Sequence, residues 1–342
     1  YKQKKKMTTT VCITGGSGFL GAMTVKVCLE RGWIVHTTTR NPSKHEERLK
    51  SLVPSASSNL TIFAADLLQP GSFNEAFQNC DVIFHTASPF FLAGANEQNV
   101  VEPAVQGTRN VFDAAKVANI KKIVLTSSTA AIYGWYGKHE DGHVMTEADW
   151  SDEEALIQAG NWYSVSKQRA EQLAWKRAEV DGVKLAVMNP CLIFGEMLQP
   201  SVNTSSNAVL SYLNGSRKEI DNCTKCCVAV EDVAMAHVLA YERGESDKPE
   251  VWGKRFLLVG SCSSWKEMCD VLRGMEYKEG SKVEIPTVVS DVVGPPGLGA
   301  TPPNATPYDV SRAEILLGMN FQGMEEMLLG SVMSLEKFGH LK

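Results

Sequence analysis

Three features are missing from this chain of 342 residues, and each absence removes a class of function. No uninterrupted apolar run approaches the roughly 18–20 residues needed to cross a bilayer, so no membrane partner is expected. There is no excess of positive charge: 34 Lys and Arg stand against 39 Asp and Glu, a net charge of −5, which leaves no basic footprint for nucleic acid. There is also no complete metal-ligand set. "CTKCC" (223–227) contains a CxxC, but no second pair or histidine cluster supplies the other half of a tetrahedral site. The nine cysteines (12, 28, 80, 191, 223, 226, 227, 262 and 269) are odd in number and scattered through apolar segments, which predicts reduced, mostly buried thiols rather than a disulfide framework. The N-terminus "YKQKKKMTTT" is basic but has no apolar core, so it predicts no secretory signal, and Met7 is a candidate start. These readings predict a cytoplasmic protein acting on a small molecule. Nothing marks a dimer helix, and the oligomeric state stays open.

What is present is an alternation. Strand-like stretches at 10–15, 34–40, 60–67, 81–88, 122–128 and 184–190 are rich in Val, Ile and Thr and nearly continuous in apolar character, as strands covered on both faces are. Helical patterns at 20–32, 72–79, 97–118 and 162–180 separate them. This spacing predicts an α/β fold with a Rossmann-type, doubly wound parallel sheet, whose ligands bind at the carboxyl ends of the strands. After Pro190 the rhythm breaks. The expected division is a dinucleotide-binding domain at 8–190 and a smaller C-terminal substrate domain at 191–342, with some of its segments (such as 255–260) returning to the sheet.

The first βα turn reads "CITGGSGFLG" (12–21), with Gly15, Gly18 and Gly21 three apart and Gly16 also in pattern. Glycines there let the backbone turn tightly and approach a pyrophosphate, whose charge the helix N-terminus favours. Another absence now matters: neither Asp nor Glu lies between Gly32 and Pro42, where an NAD-selective site would hold the ribose 2′-OH. Arg40 and Lys44 stand there instead, a planar fork and a point charge suited to a 2′-phosphate, so NADP(H) is the expected cofactor. Asp66 at the end of the third strand could accept from an adenine amino group or cap the segment that follows.

"NWYSVSKQRAEQLAWK" (161–176) places Tyr163 and Lys167 one helical turn apart on one face. A phenol with its ordinary pKa near 10 is a poor acid near neutrality, and an ammonium within about 4–6 Å is expected to lower that value. "VLTSST" (124–129) ends the fifth strand in hydroxyls. Tyr163 is therefore the expected proton donor, Lys167 its electrostatic modulator and a ribose ligand, and Ser128 the anchor for the substrate oxygen, with Thr129 as the alternative one residue on.

The order TGxxGxxG, "TSS", YxxxK resembles the extended short-chain dehydrogenase/reductases. The stretches "VCITGGSGFLG", "DVIFHTASPF", "VEPAVQGTRNV", "IVLTSSTAAIY", "NWYSVSK", "VMNPCLIFGEMLQPSVNTS" and "VEDVAMAH" narrow it to the branch of the cinnamoyl-CoA reductases, dihydroflavonol reductases and fungal methylglyoxal (aldehyde) reductases. The resemblance covers residues 11 to about 240. It implies that Ser17, Phe19, Leu20, Leu67, Thr86, Ala87, Ser88, Pro190, Cys191, Leu192 and Ile193 line the cofactor beside the glycines, and that the reaction takes a carbonyl to the alcohol with NADPH. It leaves the substrate open. "NWYSVSK" departs from the cinnamoyl-CoA reductases' NWYCYGK, and Tyr133 stands where the dihydroflavonol enzymes carry asparagine. Phe90, Phe91, Tyr133 and Leu198 are candidates for an apolar substrate pocket. Epimerase or dehydratase chemistry, and a non-catalytic NADP(H) sensor, remain as other classes.

Overall fold

A computed structural model describes residues 8–88, 94–133, 143–293 and 308–341. In chain order the elements are β1 (Thr10–Thr14), α1 (Phe19–Glu30), β2 (Ile34–Thr39), α2 (Pro42–Lys50), β3 (Leu60–Ala64), β4 (Val82–His85), α3 (Glu102–Val117), β5 (Lys122–Thr126), α4 (Glu153–Gln158), α5 (Trp162–Asp181), β6 (Lys184–Pro190) and β7 (Leu192–Phe194). They continue with α6 (Thr204–Leu213), β8 (Ile220–Asn222), β9 (Thr224–Ala229), α7 (Val230–Glu245), β10 (Lys254–Leu258), β11 (Ser261–Ser264), α8 (Trp265–Gly274), β12 (Val289–Val293) and α9 (Met324–Lys337).

Among the described residues, seven strands form one parallel sheet in the order β10-β6-β5-β4-β1-β2-β3. The two-residue period of a strand sends alternate side chains to opposite faces. Val11 and Ile13 enter the core beneath α1 and α7, while Cys12 enters the core on the other face, which α3 and α5 cover. The direction of winding reverses between β1 and β4, which makes the carboxyl ends of those two strands the natural crevice. The 72–79 segment forms a run of turns rather than the expected helix, yet Phe73 and Phe77 still bury completely in the core under α3. The expected helix over 97–118 opens with a π-helical turn at Glu97–Val101.

The segments after Pro190 divide. α7 and β10 return to the large sheet and its core, whereas β7, β9 and β11 form a second sheet in the order β11-β9-β7. A second core covers it, built from α6, α8 and α9 with Trp265, Tyr212 and Phe194 among its largest side chains. Here the expectation for cysteine is corrected. β9 and β11 run antiparallel with Cys226 opposite Cys262, Cα atoms 3.9 Å apart, and the two form a disulfide. The other seven cysteines are free thiols, six of them buried. No helix among the described residues is long and apolar enough to cross a membrane.

Candidate active site

The glycine loop is built from sterics. Gly15 turns the chain at φ +73° between β1 and α1. A Cβ at Gly16 would lie 2.0 Å from Thr37 Oγ1, and one at Gly21 would lie 2.2 Å from the Gly15 carbonyl oxygen, so neither position accepts a side chain. The loop is held by its own amides: Gly15 N–H donates to Thr38 Oγ1 and Gly16 N–H to the Thr38 carbonyl, both at 3.1 Å. α1 begins after Gly18 with no side-chain cap and no acidic residue in its first turn, which leaves its N–H groups to an anion. Ser17 completes the loop, Phe19 and Leu20 open α1, and Phe19 packs against the core beneath α1 and the core of the smaller sheet.

β4 ends beside this loop. Thr86 Oγ1 donates to the Thr14 carbonyl at 2.6 Å, Ala87 N–H donates to Thr14 Oγ1 at 3.1 Å, and Ala87 packs over Gly15. Asp66 Oδ1 accepts from Leu68 N–H at 2.9 Å within a turn, and no helix follows it directly. Leu67 packs against Gly107, where a Cβ would lie 2.4 Å from its side chain. Pro190 ends β6, Cys191 N–H donates to the Leu258 carbonyl at 3.2 Å, and Leu192 and Ile193 open β7. The chain thus passes from one sheet to the other through the residues expected to line the cofactor.

At the end of β2 the structure places Arg40 and Lys44 in the solvent, Lys44 in the first turn of α2, and neither forms an ion pair among the described residues. Sequence reasoning missed Arg48, one turn beyond Lys44. Its guanidinium donates to the Ser17 carbonyl at 3.0 Å and to the Leu198 carbonyl at 3.1 Å, clamping the glycine loop to the segment after β7. The four-residue step from Lys44 was the signal available for it.

α5 starts at Asn161, whose side chain accepts from Ser164 N–H, and it carries Tyr163 and Lys167 to the ends of β4 and β5. Tyr163 is half-buried and hydrogen-bonds Ser128, which begins a short 3₁₀ turn and accepts from Ala130 N–H at 3.1 Å. Thr129 lies inside that turn. Lys167 is 9% exposed; its Nζ donates to Ser88 Oγ at 3.0 Å and lies 5.8 Å from the Tyr163 ring centroid.

The electrostatics differ from the sequence expectation. Burial pushes the Tyr163 phenol up to about 12, the bond from Ser128 opposing it, and burial pushes the Lys167 ammonium down to about 8, with Glu171 opposing. Desolvation therefore sets the direction of both shifts, outweighing the Ser128 bond at Tyr163 and the Glu171 charge at Lys167. His85 is buried and held down to about 3 by desolvation and then by Lys167, so it is neutral at working pH; its Nδ1 lies 2.8 Å from Thr14 Oγ1.

Of the pocket candidates, Phe90 and Phe91 lie outside the described residues. Tyr133 follows the 3₁₀ turn and packs with Ile132, Met145 and Tyr308. Tyr308, which no local signal marked, arrives from the far end of the chain, and burial pushes its phenol up, with Cys191 and Tyr133 beside it. Leu198 is 8% exposed and packs in the core beneath α1, while its carbonyl accepts from Arg48.

A family model described as the NAD dependent epimerase/dehydratase family matches residues 11–253. The chain belongs to that family. Within it, cinnamoyl-CoA reductase 1 of Petunia hybrida is 38% identical over 97% of this chain and 93% of its own length. Tetraketide alpha-pyrone reductase 2 of Arabidopsis thaliana is 36% identical over 76% of this chain and 81% of its own. The solved yeast methylglyoxal/isovaleraldehyde reductase Gre2, complexed with NADPH, superposes with a TM-score of 0.78 at 25% identity, covering 97% of this chain and 99% of that one. Vestitone reductase from alfalfa gives 0.76 at 28%, with the same coverage. The chain is an oxidoreductase of this reductase branch of the epimerase/dehydratase family, and NADPH is the group that the Gre2 neighbour holds. Its own residues fit that group: two glycines that a Cβ would jam, an uncapped helix N-terminus, and two exposed cations where a carboxylate would repel a 2′-phosphate.

Proposed function

We propose that the protein reduces an aldehyde or ketone to the alcohol, with Tyr163 giving the proton and Ser128 holding the substrate oxygen. The reading rests on one observation: the Tyr163 hydroxyl meets Ser128 at the carboxyl edge of the sheet, with Lys167 one turn along α5 and bonded to Ser88 just past β4. When bound, NADPH supplies the hydride. The chain's residues do the rest. A phenol pushed up to about 12 is protonated across the neutral range, the state a proton donor needs. The alkoxide that develops on the substrate accepts from the Tyr163 and Ser128 hydroxyls. Lys167, with a value of about 8, is largely charged at pH 7 and stabilises the phenolate left behind. Arg40 and Lys44 take the 2′-phosphate, and the chain works in the cytoplasm as a cofactor domain (8–190) beside a smaller substrate domain (191–342), some segments of which return to the large sheet. Tyr133, with Phe90 and Phe91, serves the apolar pocket.

The similarity to cinnamoyl-CoA reductases across 97% of the chain favours a second reading, reduction of a CoA thioester to the aldehyde. NADPH-oxidation assays across aldehydes, α-dicarbonyls, flavanonols and cinnamoyl-CoA thioesters separate the two. Oxidation of NADPH with free carbonyls, much faster than of NADH, is the expected result. A preference for NADH would remove the role given to Arg40 and Lys44, and turnover confined to thioesters would replace the first reading with the second.

A further inference from the structure

Glu171 stands one helical turn beyond Lys167, so Tyr163, Lys167 and Glu171 form one stripe on α5. Its side chain is fully buried, and four donors converge on the carboxylate. Ser127 Oγ, just past β5, donates at 2.5 Å, Asn189 Nδ2 on β6 at 2.9 Å, Trp175 Nε1 at 3.2 Å, and Arg255 on β10 forms an ion pair at 2.6 Å. The same Asn189 amide donates to the Ser128 carbonyl at 3.1 Å. Arg255 is pinned in turn, donating to the carbonyls of Glu147 (3.1 Å) and Asp149 (2.6 Å) with its guanidinium 3.9 Å over the Trp150 ring.

A buried ion pair is weak evidence for stability, because an apolar replacement is often as good. What this one supplies is register. We propose that Glu171 is a positioning residue: it locks α5 against the ends of β5, β6 and β10, setting Tyr163 and Lys167 against Ser128, and its negative charge supports the Lys167 ammonium. A cavity of about 20 Å³ lined by Lys167, Glu171, His85, Ser88 and Ser127 has room for one water. The groups facing Lys167 are Tyr163 and Glu171 from its own helix and His85 from β4; α3 presents only Ala104 and Thr108, and Arg255 lies beyond Glu171. Glu171 is thus the one anion among the described groups on that side.

The inference rests on the proton-donor reading above, and the test separates the two. It compares Glu171→Gln, Glu171→Asp and the paired Glu171→Gln/Arg255→Met, which also removes the cation that the single change leaves buried without a counter-charge. Melting temperature reads folding, NADPH fluorescence reads cofactor binding, and the pH dependence of Lys167 acylation by acetic anhydride, followed by mass spectrometry without cofactor, reads its charge. The paired variant is expected to fold and bind NADPH like the parent but to lose about 10²-fold in kcat through misplaced reacting groups. Glu171→Asp should recover part of kcat, and in Glu171→Gln the labelling midpoint of Lys167 should fall by roughly half a pH unit. Parental kcat and an unmoved midpoint in folded variants overturn the proposal, as does failure of all three variants to fold, which would assign the network to stability alone. If the parent reduces no carbonyl, the reductase reading fails, and the labelling midpoint still decides for or against Glu171.

Discussion

Replacing Lys167 with methionine should stabilise the fold while abolishing its use. The side chain is 9% exposed, and folding drives its ammonium from the ordinary lysine value of 10.5 down to about 8. At about 1.4 kcal/mol per tenfold in proton affinity, that fall corresponds to about 3 kcal/mol by which the buried charge opposes folding near neutrality. Methionine has a similar length, fills the site and removes the charge, at the loss of the hydrogen bond to Ser88, about 1 kcal/mol. Lys167→Met should therefore be about 1–3 kcal/mol more stable at pH 7, a rise of a few degrees in melting temperature, with carbonyl reduction reduced to background. The sign with pH is determined. The folded value lies below the unfolded one, so between about 8 and 10.5 the folded parent holds fewer protons than the unfolded chain, and its stability climbs with pH. The variant's advantage should be full below pH 8, shrink through that window and vanish above it. Thermal melts of both proteins from about pH 6 to about 11 make the measurement. A variant no more stable than the parent at pH 7, or a difference that ignores pH, would refute the reasoning.

Tyr163→Phe should lower kcat by about 10²–10⁴-fold while fluorescence titration finds NADPH affinity nearly unchanged, since only the proton donor is removed. Ser128→Ala should cost far more activity than Thr129→Ala, because Ser128 meets the Tyr163 hydroxyl and Thr129 sits within the following turn; equal losses would reassign the anchor. Gly21→Ala should weaken cofactor binding severely and cost about 1–3 kcal/mol of stability, because its methyl group would lie 2.2 Å from the Gly15 carbonyl oxygen; normal binding in that variant would contradict the loop's packing. Arg40→Ala with Lys44→Ala should raise the KM for NADPH and leave that for NADH alone.

The residues that act locally were legible before any fold was known. Strand periodicity, the glycine spacing, the missing carboxylate after β2 and the four-residue step from Tyr163 to Lys167 depend only on neighbours along the chain, and short-range geometry is carried by the sequence itself. Tertiary structure decided whatever depends on distant partners. The register of β9 against β11 brings Cys226 to Cys262, the return of β10 delivers Arg255 to Glu171 across 84 residues, and Tyr308 joins Tyr133 from the chain's far end. It also decided the sign of the field at the candidate proton donor. An ammonium four residues away suggested a lowered phenol, but the depth of burial around α5 is set by every element packed on it, and desolvation of the phenol exceeds what the bond from Ser128 restores.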